Sequence, residues 1–127
     1  MVKKAIRTDT APPPAANYSQ AVRKGNILQV AGQVSIDPAT GKIAGESVAE
    51  QTKQVFANLN AVLAAAGSSL DDVVMLRVYL TDSGHFAEFN EVFNAIVGEP
   101  YAARTTVYVG LAPGLLVEID ALAVLDD

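Results

Sequence analysis

A guanidinium, two carboxylates, an amide and a phenol stand out in this chain because each interrupts an apolar pattern. Arg104 opens the stretch Ala103–Val109, where alternation puts Arg104, Thr106 and Tyr108 on one face and Ala103, Thr105, Val107 and Val109 on the other. A guanidinium is a planar fork that holds a carboxylate through two parallel hydrogen bonds. The plainer reading is a surface arginine, or one paired with Glu118 or Asp120. Those two acids interrupt the otherwise apolar run LLVEIDALAVL, and a period of two places them on one face of a strand. A carboxylate there needs a cation, donors or water, and burial raises its pKa into a range suited to proton shuttling. The plainer reading is a solvent-facing edge or a salt bridge between subunits. Asn90 falls four residues after Phe86 and three before Phe93, on or beside the apolar stripe of a helix. A buried amide without partners costs on the order of 1–3 kcal/mol, so a helix-packing hydrogen bond is its plainer role. Tyr18 follows a proline run. Gly32-Gln33 closes an apolar strand where a backbone could approach a ligand, or where a bulge or turn is needed. Such a set can bind a small acid and move protons.

Other chemistries lack their parts. The chain has no cysteine, which removes disulfides, thiolate zinc sites and cysteine nucleophiles. Its single histidine, His85, has no triad partner or metal cluster beside it and reads as a surface or capping residue. Glycine patterns for phosphate or dinucleotide loops are missing. A net charge of −5 and a pI near 4.7 disfavour a general nucleic-acid binder. The basic start MVKKAIRTDTAPPP has no apolar run behind it, so no signal peptide is expected. No stretch approaches the roughly 20 apolar residues of a membrane span, and the expected location is the cytoplasm.

These side chains must be positioned by a chain of 127 residues, which suits one domain over 1–127. Half of the residues are hydrophobic and only 18% are charged, which hints at apolar surface covered by another subunit. Lys3 to Thr8 reads as a short strand, and Pro12-Pro13-Pro14 as an extended connector. Tyr18–Arg23 and Ile27–Ala31 read as strands joined by a Lys24-Gly25-Asn26 hairpin, with a turn at Asp37–Gly41. Ser47 and Glu50 form an S-x-x-E capping box. Behind it Val48, Thr52, Val55, Phe56, Leu59, Val62, Leu63 and Ala66 recur on one helical face, and Gly67 is the stop. A β-branched strand follows at Val73–Leu80. A second helix is expected from Ser83 to Val97, with Phe86, Phe89, Val92, Phe93 and Ile96 inward and Gly98 and Pro100 ending it. Ala103–Val109 and Leu116–Leu125 are the last strands, joined through a type II turn at Ala112-Pro113-Gly114. The order predicts an α+β fold, a sheet with helices on one face. It also permits a parallel pairing of the strands flanking the first helix.

The segments APPPAANYSQAV, VAGQVSIDPATGKI, EQTKQVFANLNAVLAAAGSSLDDVV, FNEVF, YAARTTVYVGL and VEIDALAV resemble, in order and spacing, the RidA/YjgF family. The resemblance covers nearly the whole chain and is most specific at Ala103–Val109, Val117–Ala121 and the glycine-glutamine pair. It implies a chorismate-mutase-like mixed sheet with two helices on one face, assembled as a trimeric barrel with active sites between subunits. It implies hydrolysis of 2-imino acids and their enamine tautomers, such as 2-aminoacrylate, to 2-oxo acids and ammonia, with no cofactor and no metal. The family's arginine falls on Arg104, its glutamate on Glu118, its tyrosine on Tyr18 and its helix asparagine on Asn90, and the backbone at Gly32 lines the pocket. Ala31 stands where a serine is common and Thr106 where a cysteine is common, both at pocket-lining positions. Ala16-Asn17 replaces the usual glycine-proline before the tyrosine. The retained Arg104 favours deamination over branches that lack the arginine. The resemblance also leaves room for a pathway deaminase acting on 2-aminomuconate, for RNA cleavage or translation inhibition, and for a non-catalytic trimer that binds 2-oxo acids. The acidic balance and the absent histidine pair count against the RNA activity.

Overall fold

The computed structural model describes residues 2–126. Strands β1 (Lys4–Ile6), β2 (Ala21–Lys24) and β3 (Ile27–Val34) come first, followed by helix α1 (Val48–Ala65) and strand β4 (Val73–Leu80). Helix α2 (Phe86–Ile96) and strands β5 (Ala103–Tyr108) and β6 (Val117–Val124) complete the chain. The strands form one six-stranded mixed sheet in the order β1-β2-β3-β6-β4-β5. Only β4 and β5 pair in parallel, across the α2 crossover. The strands flanking α1 do run the same way, but they are not neighbours, because β6 inserts between them and pairs antiparallel with both. The parallel direction that the crossover permits is thus present, but the two strands are not hydrogen-bonded to each other. A helical crossover fixes direction, and β6, the last strand, fills the gap it leaves.

Local chemistry explains the helices. Ser47 accepts from the Glu50 amide at 3.1 Å, and the Glu50 side chain accepts from the Ser47 amide at 3.2 Å, the reciprocal cap the sequence predicts. Such a cap stabilises by about 0.5–2 kcal/mol. Gly67, at φ +73°, ends the helix in the left-handed conformation that glycine adopts without strain. The second helix starts later than predicted. Ser83–His85 forms a short 3-10 turn capped by Asp82, and the α-helix proper begins at Phe86. His85 sits at the cap position of α2 yet makes no side-chain cap bond.

The core lies between the sheet and the two helices. Leu28 and Val30 of β3, Leu76, Val78 and Leu80 of β4, and Val117, Ile119, Ala121 and Ala123 of β6 are buried. They meet Val55, Phe56, Leu59, Val62 and Leu63 of α1 and Phe89 and Phe93 of α2. Each large side chain buried this way contributes roughly 1.5–3 kcal/mol. The other face of the sheet is uncovered. It carries Gln29, Arg77, Tyr79, Glu118 and Asp120 amid Leu122, Val107 (39% exposed) and Val124 (39% exposed). Among the described residues no helix is long and apolar enough to cross a membrane.

Three strand boundaries differ from the sequence reading in ways that matter for the site. The first strand is shorter than Lys3–Thr8. The second begins at Ala21, so Tyr18 lies in the preceding arm rather than in a strand. The third continues past Gly32 to Val34 instead of closing there. It does so through a bulge. Val30 faces Ala121 and Gln33 faces Ile119, so Ala31 and Gly32 together oppose the single residue Asp120.

Candidate functional site

Arg104 projects from β5 toward the helices. Its register partner is Leu76, a core residue, which fixes that face. One guanidinium nitrogen donates to Asn90 Oδ1 at 2.8 Å. The guanidinium carbon lies 4.7 Å from the Phe93 ring centre, 5.7 Å from Phe86 and 5.9 Å from Phe89. Asn90 thus finds the partner its place beside the apolar stripe demands. Three phenylalanines supply negative ring faces to a cation. No acid joins them: among the described residues the only salt bridge is Arg77 to Asp120. The pairing of Arg104 with Glu118 or Asp120 that the sequence left open does not occur within the chain. Thr106, two residues on and on the same face, has a buried hydroxyl with no partner. Tyr108 is 48% exposed at the strand's end, and Val107 and Val109 on the opposite face are also exposed, so the apolar side of β5 stands uncovered.

Glu118 lies on the other face of the sheet. Its register partners are Val34 and Tyr79, both on the uncovered side. The carboxyl is half-buried, and burial first, then the nearby Asp120 charge, hold its pKa above the ordinary carboxylate value. The carboxylate sits directly over the bulge: a Cβ added at Gly32 would stand 2.5 Å from Glu118 Oε2. Gly32 is therefore there for close approach. The sequence offered both the bulge and the close approach as separate readings, and the structure has both at once.

Asp120, two residues along on the same face, is already engaged. It accepts from Arg77 Nε at 2.6 Å and from the Tyr79 hydroxyl at 2.8 Å. That bond, followed by burial, raises the Tyr79 pKa. Arg77 also reaches Gln29 Oε1 at 3.1 Å. The two acids, alike in sequence, thus differ in role: one is neutralised, the other is left half-buried and uncompensated.

Tyr18 and Gly32 meet at a cavity of about 360 Å³ lined by Pro12, Pro13, Pro14, Val34 and Ile36 among others. The Tyr18 hydroxyl accepts from the Ala15 amide at 3.2 Å, which leaves its own proton free to donate. The proline arm is fastened by Gln20, which is buried. Its Nε2 donates to the carbonyls of Pro12 (2.9 Å), Thr8 (3.1 Å) and Ala11 (3.3 Å), and its Oε1 accepts from the Thr8 amide at 2.8 Å. Ala31 lines a shallower hollow with Tyr18 and Gln29.

The residues singled out from the sequence therefore fall into two groups. Arg104, Asn90 and Thr106 gather on the helix side at the β5 edge. Glu118, Gly32, Ala31 and Tyr18 gather around β3 and β6. From Arg104 the register runs through Leu76 to Ala121, three residues from Glu118. Strand spacing and rise put the two Cα atoms about 14 Å apart, on opposite faces. One chain does not bring them together. The sequence reading missed Gln20, Arg77 and Tyr79. The last two had a signal: an i, i+2 polar pair on β4 to match the pair at Glu118 and Asp120.

A family model described as endoribonuclease L-PSP matches residues 8–125. A RutC family protein of Pyrococcus abyssi is 47% identical over 97% of this chain and 98% of its own length. The crystal structure of RidA from an Antarctic Psychrobacter superposes with a TM-score of 0.92 at 45% identity, over 96% of this chain and 99% of that one. The crystal structure of Escherichia coli TdcF with bound serine superposes with a TM-score of 0.91 at 34% identity, over 97% of this chain and 99% of that one.

Proposed function

The chain belongs to the RidA/YjgF family, and on that premise we propose that it is a deaminase that hydrolyses 2-imino acids and their enamine tautomers to 2-oxo acids and ammonia. The observation that carries this reading is the guanidinium of Arg104, held by a neutral amide over aromatic rings and paired with no acid among the described residues. A cation kept in that state is set to receive an anion from outside the chain. The serine bound to the TdcF relative is a small amino acid with such a carboxylate.

In this reading Arg104 forks onto the substrate carboxylate while Asn90 keeps the guanidinium in plane. Water adds to C2 of the protonated imine, Glu118 accepting its proton. The same carboxyl returns that proton to the nitrogen and takes up the hydroxyl proton as the C–N bond breaks, so that ammonia leaves, the 2-oxo acid remains and Glu118 passes the surplus proton to solvent. The raised pKa of Glu118 suits both transfers. Tyr18, with a proton free to donate, steadies the developing oxygen. Imines hydrolyse unaided in water, so orientation and proton transfer are all that must be supplied.

Arg104 and Glu118 lie on opposite faces about 14 Å apart, so we assign them to one site only through assembly, with Arg104, Asn90 and Thr106 of one copy facing Tyr18, Gly32 and Glu118 of the next. The uncovered sheet face, with exposed Ile27, Val107 and Val124, supports self-association. A homotrimer is the assembly the family resemblance implies.

The test is imine decay. An amino-acid oxidase generates the imine, semicarbazide traps what survives, and absorbance follows it. Arg104→Ala should reduce the acceleration by on the order of 10³-fold or more with an unchanged circular dichroism spectrum. Near wild-type turnover in that variant would end the deaminase reading.

A further inference from the structure

We infer that the cavity between the proline arm and the β3 bulge is a side-chain pocket that selects 2-imino acids with branched or long apolar side chains over 2-aminoacrylate. The inference deepens the deaminase reading and rests on it.

Three observations lead there. The first is continuity. Tyr18 and Gly32 belong both to the cavity wall and to the carboxylate half of the site, and Val34 is the register neighbour of Glu118. A substrate whose C2 lies at Glu118 therefore has the cavity as its neighbour, while its carboxylate extends the other way, toward Arg104 of the adjoining copy. The third substituent on C2, the side chain, is the group left to enter it.

The second is size and chemistry. At about 360 Å³ the cavity falls in the range of roughly 300–1,000 Å³ typical of pockets for whole small molecules. The side chain of 2-aminoacrylate is a single carbon and would leave most of that volume to water. Most of the wall is apolar, with Pro12, Pro14, Val34 and Ile36 carrying no side-chain donor or acceptor. Of its polar members, Gln20 spends its amide on Thr8, Ala11 and Pro12, and Gln33 Nε2 donates to the Ala31 carbonyl. That leaves the Tyr18 hydroxyl, at the edge toward Glu118, as the free donor. Apolar carbon placed there is gained at about 0.8 kcal/mol per buried methylene, roughly fourfold in binding for each.

The third is rigidity. The arm is not a loose flap, because buried Gln20 fastens it through four hydrogen bonds to Thr8, Ala11 and Pro12. On the opposite side the Val34 and Ile36 carbonyls each accept from Asn58 Nδ2, at 3.0 Å and 2.9 Å. Both walls are therefore fixed before a ligand arrives, and a preformed apolar pocket discriminates by volume.

The experiment compares imines made in place from leucine and alanine by an amino-acid oxidase, with kcat/KM measured for each. The wild-type protein is expected to favour the leucine-derived imine by about tenfold or more. Ile36→Phe, which fills the pocket from a half-buried position without touching the backbone bond to Asn58, should lower that ratio about tenfold. Ile36→Ala should instead extend turnover to the phenylalanine-derived imine. Calorimetric titration with 4-methyl-2-oxopentanoate and pyruvate provides a second readout, with the branched acid binding more tightly to the wild type and losing that advantage in Ile36→Phe. Turnover of the alanine-derived imine with a leucine-to-alanine ratio near one, or a ratio that Ile36→Phe leaves unchanged, overturns the pocket and leaves the deaminase reading standing. Absence of turnover on every imine, with no binding of either 2-oxo acid, overturns both.

Discussion

The two halves of the candidate site handle charge in opposite ways. At the β5 edge, Arg104 is held by an amide and by aromatic faces, neither of which neutralises it. Around β6 the cation on the same sheet face is already committed: Arg77, with the Tyr79 hydroxyl, binds Asp120, and Glu118 is left half-buried beside a like charge. One half presents an unspent positive charge, the other a carboxyl biased toward holding its proton. A chain folded for its own stability alone would bring opposite charges together. Keeping them apart, on two faces of one sheet, makes each half complementary to something that arrives from outside.

The sharpest way to break that comparison is subunit mixing. Arg104→Ala and Glu118→Gln each remove one half, and each alone should be inactive. If the halves come from different copies, co-refolding the two variants in equal amounts restores intact pairings at random, and about a quarter of wild-type activity should return. Recovery is measured by the same imine-decay assay against each variant refolded alone. No recovery, in the presence of mixed oligomers, would mean that both residues serve one site within one chain, contrary to their separation here.

A smaller effect is expected from Gly32→Ala. The added methyl would meet Glu118 Oε2 at 2.5 Å, so the carboxylate must swing away. Because Gly32 has an ordinary backbone angle, the fold should survive. A displaced proton-transfer group costs about 10²-fold in kcat. Activity and circular dichroism measured on the same sample separate the two. Wild-type kcat in this variant would show that the position of Glu118 is not critical.

Much of this was legible in the sequence, for identifiable reasons. The capping box, the helical stripe and the alternation of Val117–Val124 are local signals, and the structure follows them to within a residue or two. Asn90 was visible as an amide beside an apolar stripe, and its partner proved to be another of the residues singled out. What was not legible depended on pairings across the sheet. The insertion of β6 between β3 and β4, and with it the face on which Glu118 lies relative to Arg104, is set by long-range register that no window of sequence contains. Gln20 escaped notice for a similar reason. A glutamine after a proline run looks like surface, and only the folded arm shows it buried with both ends of its amide engaged.

The smallest predicted effect concerns stability. Burial raises the Glu118 pKa in the folded chain above its unfolded value. The native state therefore holds the extra proton between those two values, and stability falls as pH rises through that window; the penalty then persists at neutral pH. Glu118→Gln removes the ionisation and should raise Tm by about 2 °C at neutral pH, with the difference vanishing below the ordinary carboxylate range. Thermal scans at several pH values on wild type and variant check both the sign and the window. A fall in Tm at neutral pH would carry its own meaning. It would require a cation that stabilises the ionised carboxyl by more than burial costs it, and Arg77 is already bound to Asp120. The remaining candidate is Arg104 of a second copy, closer to Glu118 than an intervening substrate would permit, which would recast the two halves as a resting ion pair that the substrate must open.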